Sequence, residues 1–161
     1  CEQAAKSQTY IGCAFWPTVT YNPVYHEFAF AVVVANGGSV DAEVNIQRMG
    51  ASVAKATVPA GGLSTITLPW VMELKGEEFT RTDATTGARK KESVLVEGGA
   101  YHMTSSVPVT TWQFSPLDYQ QPAANCPGLP AGTVTCLSVS NDASLLLPTT
   151  AMTGTYGLAG R

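Results

Sequence analysis

Between residues 28 and 68 the chain alternates short apolar runs with turn residues. Phe28-Ala29-Phe30-Ala31-Val32-Val33-Val34-Ala35 is apolar at every position. A run that short and that uniform predicts a strand buried on both faces. Asn36-Gly37-Gly38 follows, and these residues tolerate positive φ, so a reversal is predicted there. The next run alternates: Ala42, Val44 and Ile46 on one face, Glu43, Asn45 and Gln47 on the other. That is a half-buried strand with one wet face. A second turn at Met49-Gly50 leads to Ala54, Ala56 and Val58, then to Pro59-Ala60-Gly61-Gly62, Ile66 and Leu68. The pattern predicts a central hairpin extended into an antiparallel meander over one core.

The flanks repeat this grammar. Residues 1–7 read as a polar loop, and residues 8–17 as a strand ended by Pro17. Pro69-Trp70 marks a corner where the chain crosses to another sheet. Strands are predicted at 93–96, 100–106 and 107–114. Pro108 within the last predicts an edge position or a strand start, because proline gives no N–H to a ladder. Residues 118–130 read as loop and 133–137 as strand. Leu145-Leu146-Leu147 is an apolar triplet stopped by Pro148, and Asn141 with Asp142 reads as a turn or cap. The tail after residue 149 reads as the start of a strand. No window carries a sustained helical period. The prediction is one all-β domain over 1–161: an antiparallel β-sandwich, Ig-like or jelly-roll-like, with long loops.

Composition agrees: 15 glycines and 10 prolines are spread along a chain only 13% charged. At 161 residues there is enough chain for a real core. The net charge of −3, with basic residues gathered at Arg81 and Arg89-Lys90-Lys91, argues against nucleic acid, which needs a broad positive face. No apolar run approaches the roughly 20 residues of a membrane-spanning helix.

The four cysteines form two sequence-local pairs, Cys1 with Cys13 and Cys126 with Cys136. Four cysteines allow three connectivities. The local one is favoured, because each pair brackets a short polar segment that strand pairing would leave loose. A zinc site wants closer pairs. Disulfides imply an oxidising compartment, hence secretion or display on a cell surface. Cys1 as a lipidated N-terminal cysteine is the alternative, and it leaves Cys13 unpaired.

Candidate chemistry is sparse. His26 and Glu27 are adjacent, and neighbours on a strand point to opposite faces, so they cooperate only where the strand is broken. His102 alternates with Tyr101 and Met103 and reads as a polar-face residue. Glu77, Glu78 and Asp83 offer oxygen ligands, but without the spacing of a calcium loop. The most polar stretch, with Glu77, Glu78, Arg81, Asp83, Arg89, Lys90 and Lys91, is a candidate contact loop, as is 118–130 with Asp118 and Tyr119. A nucleophile elbow, a phosphate-binding glycine loop and a zinc-protease helix motif are all missing. No catalytic residue, metal ligand or cofactor is assigned. A polysaccharide hydrolase would have to draw on Glu73, Glu77, Glu78 and Asp118.

Several segments together resemble the IgGFc-binding protein N-terminal domain family. They are Tyr10-Ile11-Gly12-Cys13 with Phe15-Trp16-Pro17, residues 28–36, Leu68-Pro69-Trp70 with Glu73-Leu74-Lys75-Gly76, Gly99-Ala100-Tyr101-His102, Pro108-Val109, Gln113-Phe114-Ser115-Pro116-Leu117 and residues 140–150. The resemblance implies a bacterial secreted or surface member and covers the first half of the family's longer domain. It makes Cys1 the last of a cysteine-rich lead-in that pairs with Cys13. It carries over no catalytic residue. The expected role is a non-catalytic binding, adhesion or surface-structural module, a piece of a larger extracellular protein. Its expected partners are an extracellular protein, a glycan or other copies of itself. The alternative is a subunit of a surface fibre that pairs through edge strands.

Overall fold

The computed structural model describes residues 1–78, 93–138 and 140–152. Its strands are β1 Gly12–Phe15, β2 Phe30–Ala35, β3 Ala42–Arg48, β4 Ala51–Val58, β5 Leu63–Leu68, β6 His102–Ser115, β7 Gln120–Pro122, β8 Thr135–Leu137 and β9 Asp142–Leu145. Two short helices are α1 Glu2–Ser7 and α2 Met72–Lys75. All the strand pairings are antiparallel.

β6 belongs to two wings of sheet. Its first residues pair with β3, from Gln47↔His102 to Val44↔Ser105, and with β1 at Phe15↔Met103. Its last residues pair with β2, from Ala35↔Thr110 to Ala31↔Phe114, and with β9 at Trp112↔Leu145. β4 extends the first wing beyond β3, and β5 extends the second beyond β2. One core fills the space between the wings: Phe30, Val32, Val34, Ile66 and Leu68 from one, Phe15, Val44, Ile46, Val58 and Met103 from the other. Each large side chain buried there contributes about 1.5–3 kcal/mol of transfer free energy. This is the antiparallel sandwich that the polar–apolar pattern predicts.

The connections differ from the expected meander. β2 and β3 do not pair with each other; residues 36–41 carry the chain from one wing to the other. Asn36, buried at the corner, holds it. Its Nδ2 donates to Val40 O at 2.8 Å and Val58 O at 3.1 Å, and its Oδ1 accepts from Gly38 N at 3.0 Å. A side chain, not a left-handed glycine, makes this turn. The real hairpin is β3–β4, where Met49 and Gly50 both take positive φ, 51° and 79°. Two positive φ values in a two-residue loop match the right-handed twist of the strands.

The predicted strands at 100–106 and 107–114 are one strand, and Pro108 lies inside it. The edge expectation fails for a physical reason. Pro108 falls where β6 changes partners, and residues 106–108 appear in none of its ladders, so no ladder bond needs the missing N–H. Residues 2–7 of the predicted loop form α1, and residues 93–96 form no strand. Pro69-Trp70 leads into α2 and not directly to another sheet. Asn141 ties the segment after β6, its Nδ2 donating to Leu117 O at 2.6 Å. Asp142 opens β9. After the 3-10 turn Thr149–Ala151, the tail from 153 lies outside the described residues.

The disulfides are Cys1–Cys13, which ties α1 to β1, and Cys126–Cys136. The second closes a small flap made of β7 and β8 over a minor core of Val24 and Phe28. Among the described residues no helix is long and apolar enough to cross a membrane.

Candidate functional site

The two wings present opposite outer faces. Alternation along β3 and the partners of its ladder put Glu43, Asn45, Gln47, Lys55, Thr57, His102 and Thr104 on the outside of the first wing. That face is polar and self-satisfied: Thr57 Oγ1 donates to Glu43 Oε1 at 2.9 Å, and His102 stacks on Trp16 with centroids 4.4 Å apart. The second wing is different. Its outer rows read Thr67–Ala31–Phe114–Ala143 and Thr65–Val33–Trp112–Leu145, with Leu63–Ala35–Thr110 beside them. None of these residues is charged, and Val33, Trp112, Phe114 and Leu145 join neither core cluster. Leu63 is 67% exposed and Leu145 44%.

This face explains the uniform apolar run of β2. Phe30, Val32 and Val34 point to the core as predicted. Ala31, Val33 and Ala35 point to the other side; Ala31 is fully buried there, while Val33 and Ala35 are half-buried and join neither core cluster. The face has eleven positions, four in each of the two rows that reach β9 and three in the last; eight are apolar and three are threonine. Exposed apolar surface grouped in this way on a folded chain is often functional.

At one end the face runs into a cleft of about 550 Å³. Thr67 borders both, and Pro69, Trp70 and Met72 form the cleft's apolar wall. Trp70 is fixed there by its Nε1–H, which donates to Phe28 O at 2.8 Å, and by its ring against Phe30 at 5.5 Å. The cleft's polar wall is His26 and Glu27.

His26 and Glu27 sit in a turn before β2, not in a strand. Phe28 N donates to Tyr25 O at 3.1 Å and closes it. The condition that separates neighbouring side chains is therefore absent, and the two face each other with His26 Nε2 3.2 Å from Glu27 Oε1. Glu78 arrives from the far end of the α2 segment. Its Oε1 lies 2.6 Å from His26 Nδ1 and accepts from His26 N at 2.8 Å. Burial alone would raise the Glu78 carboxyl; the hydrogen bonds from His26 and the Lys75 charge overcome it and hold it below the usual carboxylate range. Lys75 lies beneath, fully buried, donating to Val24 O and placed 5.6 Å from the Trp70 ring centroid. Its burial lowers the amine, while Glu78 and Glu27 pull it partly back.

Of the contact-loop residues read from sequence, Glu77 is exposed and Glu78 belongs to the cluster just described. Asp118 is half-buried, and its Oδ2 accepts from Gln121 Nε2 at 3.2 Å and Ala29 N at 3.4 Å. Tyr119 is 54% exposed. Arg81, Asp83, Arg89, Lys90 and Lys91 lie outside the described residues. Glu73 is exposed on α2. Sequence reading missed the meeting of His26 with Glu78, separated by 52 positions. It also missed the open apolar face, whose signal was the unbroken run in β2 and the Trp112–Phe114 alternation in β6.

No protein-family model matches the chain, and no curated protein matches it. The Anabaena sensory rhodopsin transducer is a similar solved structure, at 18% identity over 62% of this chain and 90% of that chain, with a TM-score of 0.31. At that TM-score the likeness carries no argument about fold or function.

Proposed function

We propose that this chain is an extracellular, non-catalytic binding module that docks a partner on the outer face of the β5-β2-β6-β9 wing. The observation that carries the reading is the contrast between the outer faces, one polar and one apolar. A face with the half-buried Val33, Trp112 and Phe114 beside the exposed Leu145, across three strands, has the make-up of an interface core, where aromatic residues are enriched and charged ones depleted. Supporting it are the two disulfides, which belong to oxidising compartments, and the sequence resemblance to the IgGFc-binding protein N-terminal domain family. A partner protein fits the flat face, and a glycan can stack on its aromatic rings.

The test uses immobilised extracellular glycoproteins, polysaccharides and immunoglobulin, with wild type beside a Leu63→Glu/Leu145→Glu variant. The reading expects a partner that wild type binds and the variant does not, with unchanged thermal melting. A partner bound equally well by both would sink the proposed face.

A second reading is supported by two features, the face of this wing and the free edges at the two ends of the sheet. An uncharged face does not repel its own copy, and β4 and β5 each pair on one side only. Association of copies would show as concentration-dependent mass in sedimentation, abolished by the same double variant. A strictly monomeric wild type at high concentration would remove this reading and leave the first.

A further inference from the structure

We propose that His26 and Glu27 bind one divalent transition-metal ion of the zinc class at the mouth of the cleft, with Glu78 as the residue that orients the histidine.

The geometry carries the site. His26 Nε2 and Glu27 Oε1 are 3.2 Å apart. Two ligands on a tetrahedral ion at about 2.0–2.1 Å are separated by roughly that distance. The other ring nitrogen is engaged: Nδ1 lies 2.6 Å from Glu78 Oε1. A proton held on Nδ1 by that carboxylate leaves the Nε2 lone pair free toward Glu27. This is the carboxylate–histidine–metal arrangement in which an outer carboxylate sets the tautomer and raises ligand basicity. Glu78 is itself held by the His26 backbone N–H at 2.8 Å, so the ring and its orienting group form one hydrogen-bonded unit.

A second, independent observation points to a cation. Glu27 Oε2 is shut off from solvent and accepts no hydrogen bond. A carboxylate oxygen without a partner is unfavourable to desolvate. An ion on Oε1 draws charge from the whole carboxylate and offsets the cost of leaving Oε2 without a donor. With neutral imidazole the three side chains carry two negative charges, and the buried Lys75 balances only one of them. A nitrogen donor beside carboxylate oxygens suits zinc and its neighbours better than calcium or magnesium, which take all-oxygen shells. The remaining positions on the ion open toward the cleft, to water or to a donor from a bound partner.

The proposal goes beyond the docking reading and does not need it, because a metal titration requires no partner. Zinc is titrated into the purified, chelator-treated, disulfide-intact chain by calorimetry. The expected result is one ion per chain, lost in His26→Ala and in Glu27→Gln, and weakened roughly 10–100-fold in Glu78→Gln. The chain's other histidine serves as control: His102→Ala should bind as wild type does. Circular dichroism melts in chelator confirm that each variant is folded, and the shape-conserving Glu27→Gln decides the matter where His26→Ala is unstable. No saturable one-to-one binding in wild type would overturn the site. So would binding that survives His26→Ala and Glu27→Gln, or binding lost in His102→Ala.

Discussion

A lysine with no exposed surface, Lys75, anchors α2 to the segment before β2. Its ammonium donates to Val24 O and lies over the Trp70 ring, 5.6 Å from the centroid. Removing the side chain opens a cavity and orphans the Val24 carbonyl. Lys75→Ala is therefore expected to lose about 3 kcal/mol in urea unfolding. Lys75→Met keeps the stem volume and deletes a desolvated charge, so it should recover at least about 1 kcal/mol of that loss. The sign with pH follows from the lowered amine. The unfolded lysine holds its proton to higher pH than the folded one, so folding gains stability as pH rises from the folded value toward 10.5. Wild type should gain on Lys75→Met over that alkaline window, and a constant difference between them would refute the assignment. None of this was legible in the sequence. Nothing in Glu73-Leu74-Lys75-Gly76 marks its lysine as buried, and only tertiary placement brings Lys75 to Trp70.

At the scale of elements, β3 and β2 show what a pattern can and cannot say. The alternation of Ala42, Val44 and Ile46 with Glu43, Asn45 and Gln47 specifies an inner and an outer face, and the structure keeps both. The partners of a strand are not written in its own alternation. Asn36-Gly37-Gly38 looked like a hairpin turn because its residues permit one. The long β6 wins both neighbours instead, and Asn36 pins the crossing. Pro108 misled for a related reason: its cost inside a sheet depends on whether a ladder bond is due at that place, and here none is. β1 supplies an element-scale test. A Cβ added at Gly12 would lie 2.3 Å from Pro148 Cβ and 2.8 Å from its Cγ. Gly12→Ala must push the segment after β9 away from β1 and is expected to cost about 1–3 kcal/mol in thermal or urea unfolding. A neutral effect would mean that this contact is loose.

For the whole molecule, the fold class and the disulfide pairing were legible, because local periodicity and short cysteine separations report local physics. The candidate sites were not. The His26–Glu78 contact joins turns far apart in sequence, and the open face depends on which wing β2 enters. Yet the fully apolar run of β2 did carry the trace of a second buried side. In the folded chain Ala31 is buried on that side, Val33, Trp112 and Phe114 are half-buried and Leu63 and Leu145 are exposed, so the rest of the expectation passes to a partner. The energetic consequence is specific. Leu63 and Leu145 are exposed and outside the core, so charges there should change stability by no more than about 0.5 kcal/mol. At the middle of the face, Trp112→Ala should behave as a hot spot, with at least about 2 kcal/mol of binding energy, roughly 30-fold in affinity.

The most direct measurement is biolayer interferometry of wild type and Leu63→Glu/Leu145→Glu against a panel of immobilised extracellular glycoproteins, polysaccharides and copies of the chain itself. The account predicts binding to at least one of these by wild type, a loss of roughly 30-fold or more in the double variant, and overlapping melting curves for the two proteins. Equal binding by the two, or no binding by wild type to any surface in the panel, would contradict it.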